Sequence, residues 1–191
     1  IEYSPDWLSL NQWRVVVPLA AGTNALHIHA VDVNGAPIAE PAADVTIVSG
    51  AAADPPTGRV VINEIMYRPN TPGAAFIELH NASTSTWFDL SRWILNGVGL
   101  TIPDGTVLPP GGFVVFAADR LKFADTYGPL IPVAAEYPGG LADTGETLTL
   151  IRPGPTPADD VIVDQVAYEP SAPWPTEANG SGASLQLLHP A

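Results

Sequence analysis

Short apolar runs of about 5 to 8 residues, each bounded by turn residues, recur along the whole chain and read as β-strands. In VVINEIMYRP (60–69) and AFIELHNAS (75–83) each run carries a glutamate among apolar positions. Strand alternation puts Ile77 and Leu79 on one face and Phe76, Glu78 and His80 on the other, which points Glu78 outward. For Glu64 the phase is divided. Ile62 and Met66 share its face, Val61, Ile65 and Tyr67 lie opposite, and partial burial is expected. Further strands are predicted in DLSRWILNG (89–97), LTIPDGTVLPPGGFVVFAAD (100–119), ETLTLIRPG (146–154), DVIVDQVAYEP (160–170) and ASLQLLHP (183–190). Pro110 and Gly111 suit the central positions of a type II turn, where proline fixes φ and glycine accepts a positive value. With 21 prolines and 17 glycines spread between these runs, helix has little support and an all-β sandwich is expected.

The N-terminal stretch repeats the theme. Strands are expected over 13–18, 25–32 and 43–48, with His27 and His29 alternating against Leu26, Ile28 and Ala30 and so sharing the solvated face. SGAAADPPTG (49–58) has small residues, two prolines and no apolar period, and reads as a linker. The chain therefore divides into a partial β segment (1–49), a linker (50–57) and a main domain (58–191).

Charge narrows the partners. Against 7 basic residues stand 20 acidic ones, a formal net charge of −13, which repels phosphate backbones and anionic membranes. Neither nucleic-acid binding nor membrane insertion is expected, and no run reaches the roughly 18 apolar residues of a membrane span. Without cysteine there is no disulfide, thiol catalysis or zinc-thiolate site. The start at Ile1, with neither methionine nor a signal-like apolar segment, suggests a piece of a longer protein.

Six segments taken in order carry a resemblance: GRVVINEI (58–65), FIELHN (76–81), DLSRWIL (89–95), IPDGTVLPPGGFVVF (102–116), LADTGETLTL (141–150) and VDQVAY (163–168). Together they resemble a lamin tail domain of the bacterial, extracytoplasmic kind, over roughly 58–190. The resemblance implies an immunoglobulin-like β-sandwich, an extracellular or cell-surface setting and no catalytic residues. Lacking a heptad rod and a basic cluster, the chain takes nothing from the nuclear filament members. Residues 1–49 resemble the closing strands of a bacterial immunoglobulin-like module. Such a piece cannot close its own sandwich, so its edge pairs with the main domain, pairs with another copy or stays partly exposed.

Candidate chemistry is sparse. Glu64 and Glu78 on neighbouring strands have the residue types of a glycosidase pair, but a satisfied structural role is the preferred reading. Asp32 with Asn34, Asp143 with Glu146, and Asp159 with Asp160 offer the hard oxygen ligands that Ca2+ selects, with Asx turns as the alternative. Trp93 is expected in the core, whereas Trp87 and Trp174 are candidates for stacking on a glycan. The histidines at 27, 29, 80 and 189 form no zinc pattern, and no G-x-S-x-G, phosphate loop or H-E-x-x-H occurs. The Asn-x-Ser triplets at Asn81 and Asn179 read as coincidental. The expected function is a non-catalytic interaction or spacer module whose partner is a protein or a cell-surface glycan.

Overall fold

In the computed structural model the described residues are 1–50 and 54–188, the side chains of Glu40 and Pro41 excepted. Part of the expected linker (51–53) and His189 lie outside them. Two compact units are present, Ile1–Val17 with Pro56–Ala191, and Pro18–Pro55. The first seventeen residues thus group with the larger unit. Tyr3 donates its hydroxyl proton to Asp89, and Gly105 is packed so closely on the backbone carbonyl of Glu2 that a Cβ would stand 2.6 Å from it.

The larger unit is a sandwich of two sheets. Its first strands, β1 (Asp6–Ser9) and β2 (Gln12–Arg14), form an antiparallel ribbon; β2 ends before the Val15–Pro18 stretch that was expected to continue it. The smaller unit holds β3 (Gly22–Val31) and β4 (Pro37–Ser49), paired antiparallel. Within the sandwich, β5 (Val60–Met66), β6 (Phe76–Asn81), β11 (Phe113–Ala117), β12 (Val133–Glu136) and β15 (Leu185–Gln186) make a five-stranded sheet in the order β12-β11-β6-β5-β15. Facing it are β8 (Ile94–Asn96), β9 (Leu100–Thr101), β13 (Glu146–Arg152) and β14 (Val161–Tyr168), ordered β14-β13-β8-β9. A small ribbon pairs β7 (Phe88–Asp89) with β10 (Val107–Leu108).

Inward alternation builds the main core. Ile77 and Leu79 of β6, Phe116 of β11, Leu148 and Leu150 of β13, and Trp93 before β8 are all buried in one cluster. Trp93 fills the space between the sheets as expected. At Pro110-Gly111 the chain turns with Gly111 at φ 66° and the Gly112 amide donating to the Pro109 carbonyl at 2.9 Å, the expected type II arrangement.

Two features depart from the sequence reading. A bulge in β5 changes the register between Ile62, opposite Leu79, and Glu64, opposite Glu78. Val60 and Ile62 therefore face the core before the bulge, and Ile65 and Tyr67 after it. Ile62 does not share the face of Glu64, because the extra residue resets the period of two. The second departure is a helix, α1 (Arg120–Tyr127). Asp119 caps it, its carboxylate accepting from the Leu121 and Lys122 amides at 2.8 and 3.0 Å. Phe123 and Tyr127, one turn apart, both pack edge-on against Phe76. A second buried cluster of Met66, Phe76, Val115, Ala117, Phe123 and Val133 results. Phe76 points away from the main core yet is covered.

Candidate functional site

Sheet register arranges the outer face of the five-stranded sheet in rows. Met66, Phe76 and Ala117 stand side by side, and this row belongs to the second buried cluster. The next row is Gln186, Glu64, Glu78 and Val115, and the third is Val61, His80 and Phe113. Beyond the covered row the surface opens into a depression of about 390 Å³ lined by Asn63, Glu64, Glu78, His80, Phe113 and Gln186.

Glu64 and Glu78 are direct cross-strand partners in this depression. Each has its Oε1 engaged: Glu64 accepts from the Ser184 hydroxyl, and Glu78 from the Asn63 side-chain amide at 2.8 Å. The bulge turns Asn63 toward Glu78, which is why a strand residue expected to alternate away from the glutamates supports one of them. Partial burial pushes the Glu78 carboxyl up; the Asn63 hydrogen bond opposes this, and the Glu64 charge adds to it. Among the described residues no basic side chain pairs with either glutamate.

His80 stacks on Phe113 with ring centroids 4.3 Å apart and planes 20° from parallel. Its Nδ1 is buried and has no hydrogen-bond partner among the described residues. Burial holds the imidazole below its ordinary value, so the ring is neutral at pH 7. Phe113 is 56% exposed, a large apolar surface at the rim of the depression. Glu64 and Glu78 thus lie outward, side by side and partly buried. The depression is open rather than an enclosing cleft.

The other candidate residues are dispersed. Trp87 is exposed and borders a second depression, of about 220 Å³, with Tyr3, Ser4, Asp6, Arg14, Val16, Gly105 and Val107. Trp174 is half-buried and packs against the main core. Asp143 forms an ion pair with Arg68 at 3.7 Å, while Glu146 accepts from the Ala142 amide at 2.6 Å and the Tyr168 hydroxyl at 3.0 Å. Burial first, and then the Glu146 carboxylate, push that hydroxyl up. Asp159 closes a capping box with Thr156, and Asp160 accepts from the Gly154 amide at 2.9 Å. Asp32 accepts from the Asn34 and Ala36 amides at 2.8 and 2.9 Å, an Asx turn in which Asn34 contributes its backbone. Among the described residues no three His, Asp or Glu side chains gather as a metal site. His27 and His29 stack on one face of β3, and His27 Nδ1 lies 2.7 Å from Asp44.

Asn81 is a structural residue that sequence reading missed. It is fully buried, and its side-chain amide donates to the carbonyls of Thr86, Leu108 and Pro109 at 2.7, 3.1 and 2.9 Å. It anchors the end of β6 to the loop before β11. Asn179, by contrast, is exposed and accepts from Arg68 at 2.7 Å.

Comparisons with curated proteins and with solved structures return no match. The profile of the Lamin Tail Domain family matches residues 53–170, more than half of the chain and most of the sandwich. That family is an immunoglobulin-like, non-enzymatic one, in accord with the two facing sheets described above. The chain therefore belongs to the lamin tail domain family.

Proposed function

We propose that this chain is a non-catalytic interaction and spacing module of a larger bacterial secreted or cell-surface protein. The carrying observation is the outer sheet face, where two glutamates tied to Ser184 and Asn63 share an open depression with an exposed aromatic ring. An open, mixed surface of this kind suits contact with a partner, whereas glycoside hydrolysis needs a substrate-enclosing pair of carboxyls. A net charge of −13 keeps polyanions away from it.

The smaller unit supports a further contact. Leu26 pairs with Val45 and Ile28 with Ala43 across β3 and β4, and Ile28, Ile38, Val45 and Ile47 all remain exposed. A two-stranded ribbon is marginal alone, so this apolar face pairs with additional β structure, in the same polypeptide or in an oligomer. Glycan binding is the second reading, favoured by exposed Trp87 in its own depression.

Deleting 58–188 from the full-length protein tests the first reading. Loss of retention at the cell surface, with any catalytic activity elsewhere unchanged, is the expected result; undiminished retention sinks it. Retention on an insoluble glycan that disappears in Trp87→Ala or Trp174→Ala replaces it with the second reading. Turnover of any glycoside that is lost in Glu64→Gln overturns the non-catalytic claim.

A further inference from the structure

The outer depression has a feature that a generic contact surface lacks. Glu64 and Glu78 stand directly opposite each other, and like charges in that relation destabilise a sheet unless a counter-charge lies between them. The protein supplies none among the described residues, although both carboxylates are held in place. Ser184 and Asn63 take one oxygen of each, and among the described residues nothing donates a hydrogen bond to the Oε2 atoms. Tyr127, from the covering helix, adds no positive charge and stands near enough to Glu64 to feel its field. His80 is neutral at pH 7, for the reason given above.

We infer that this depression receives one arginine side chain presented by a protein partner. Three requirements meet there. Two fixed carboxylates with free oxygens match the planar donor fork of a guanidinium. Phe113, exposed at the rim and backed by His80, offers the aromatic surface on which guanidinium stacks. The volume of about 390 Å³ admits a side chain, and its openness suits a group delivered on a partner's surface better than a free small molecule. A lysine ammonium satisfies the charge but neither the fork nor the stacking. The acidic balance of the chain steers such a cation toward the site from a distance.

The inference rests on the interaction-module reading and is tested separately from it. N-acetyl-arginine amide is titrated into the full chain while the ring signals of His80 and Phe113 are followed by NMR, with the citrulline analogue as the neutral isostere. Saturable shifts are expected with arginine, and binding about tenfold weaker with citrulline and in Glu64→Gln or Glu78→Gln. Phe113→Ala is expected to weaken binding by a few fold, and Glu177→Gln, which removes the same charge elsewhere, to leave it unchanged. Absence of saturation, an equal response to citrulline, or an equal loss in Glu177→Gln overturns the arginine pocket. If that happens while deletion of 58–188 still abolishes surface retention, the module survives without the pocket. If arginine binds but deletion leaves retention intact, the module reading fails instead.

Discussion

Within β6 the two faces of one strand meet opposite fates. Ile77 and Leu79 are fully buried between the sheets, in a closed layer of Leu, Ile, Phe and Trp. Across the strand, Phe76 lies under α1, Glu78 is half-buried beside Glu64, and His80 leans on an exposed ring. One face is complete in itself, while the other runs from covered apolar to partly buried acidic to exposed aromatic within three strand rungs. The difference teaches that the inner face carries the apolar closure of the fold, whereas the outer face leaves polar and aromatic groups only partly covered. Closure of the inner one holds the fold, which leaves the outer one free to carry groups that packing alone does not favour.

The comparison breaks most readily at Leu79. Leu79→Ala removes a fully buried side chain from the inner layer and is expected to cost about 2–5 kcal/mol, measured by urea unfolding. Phe113→Ala, on the outer rim, is expected to change stability by no more than about 0.5 kcal/mol. Equal costs would mean that the outer face is as closed as the inner. The junction between the faces is Asn81. Asn81→Ala leaves three carbonyls that now receive its amide protons without that partner, and a loss of about 1–3 kcal/mol is expected in the same assay. A loss below a few tenths would show that water takes over those carbonyls.

The inner face was legible in the sequence because alternation encodes it: Ile77 and Leu79 against Glu78 and His80, Trp93 in an apolar run, and Pro110-Gly111 at a corner. The outer face was legible only in part. Glu78 reads as outward from its phase, but the partner of each glutamate depends on a bulge at Asn63 that no local period announces. For Phe76 the phase gives only a place on the face of Glu78, because its cover comes from a helix distant in sequence. That helix had local marks, Asp119 as a cap and Gly128 beyond its end, but it buries only Phe123, and one buried residue leaves no helical stripe in the pattern. The fate of Asn81 was hidden for a related reason. A buried asparagine and a surface Asn-x-Ser triplet look alike until the loop that satisfies the side chain is placed.

The helix itself offers a smaller test of how the outer face is divided. Asp119→Ala removes the acceptor for the Leu121 and Lys122 amides and is expected to cost about 1 kcal/mol. Amide exchange should quicken first at 121 and 122, while Leu79 and Leu148 stay protected. Loss of protection in the inner strands at the same rate would show that the two clusters open together.

The least costly change is also the most specific. Glu78 binds its proton more tightly in the folded state than in the unfolded chain, so its contribution to stability is full below the ordinary carboxyl value of 4.5 and is lost as pH rises through the higher folded value. Glutamine keeps an oxygen for the Asn63 amide but cannot ionise. Glu78→Gln is therefore expected to gain on the native protein as pH rises from about 4 toward neutrality, by well under about 1 kcal/mol because the site is partly solvated. Urea midpoints across that range provide the measurement. Part of the gain comes from the facing charge, so it should shrink when Glu64 is already glutamine. An undiminished gain in that background would assign the whole effect to burial and remove the like-charge pair from the account of the outer face.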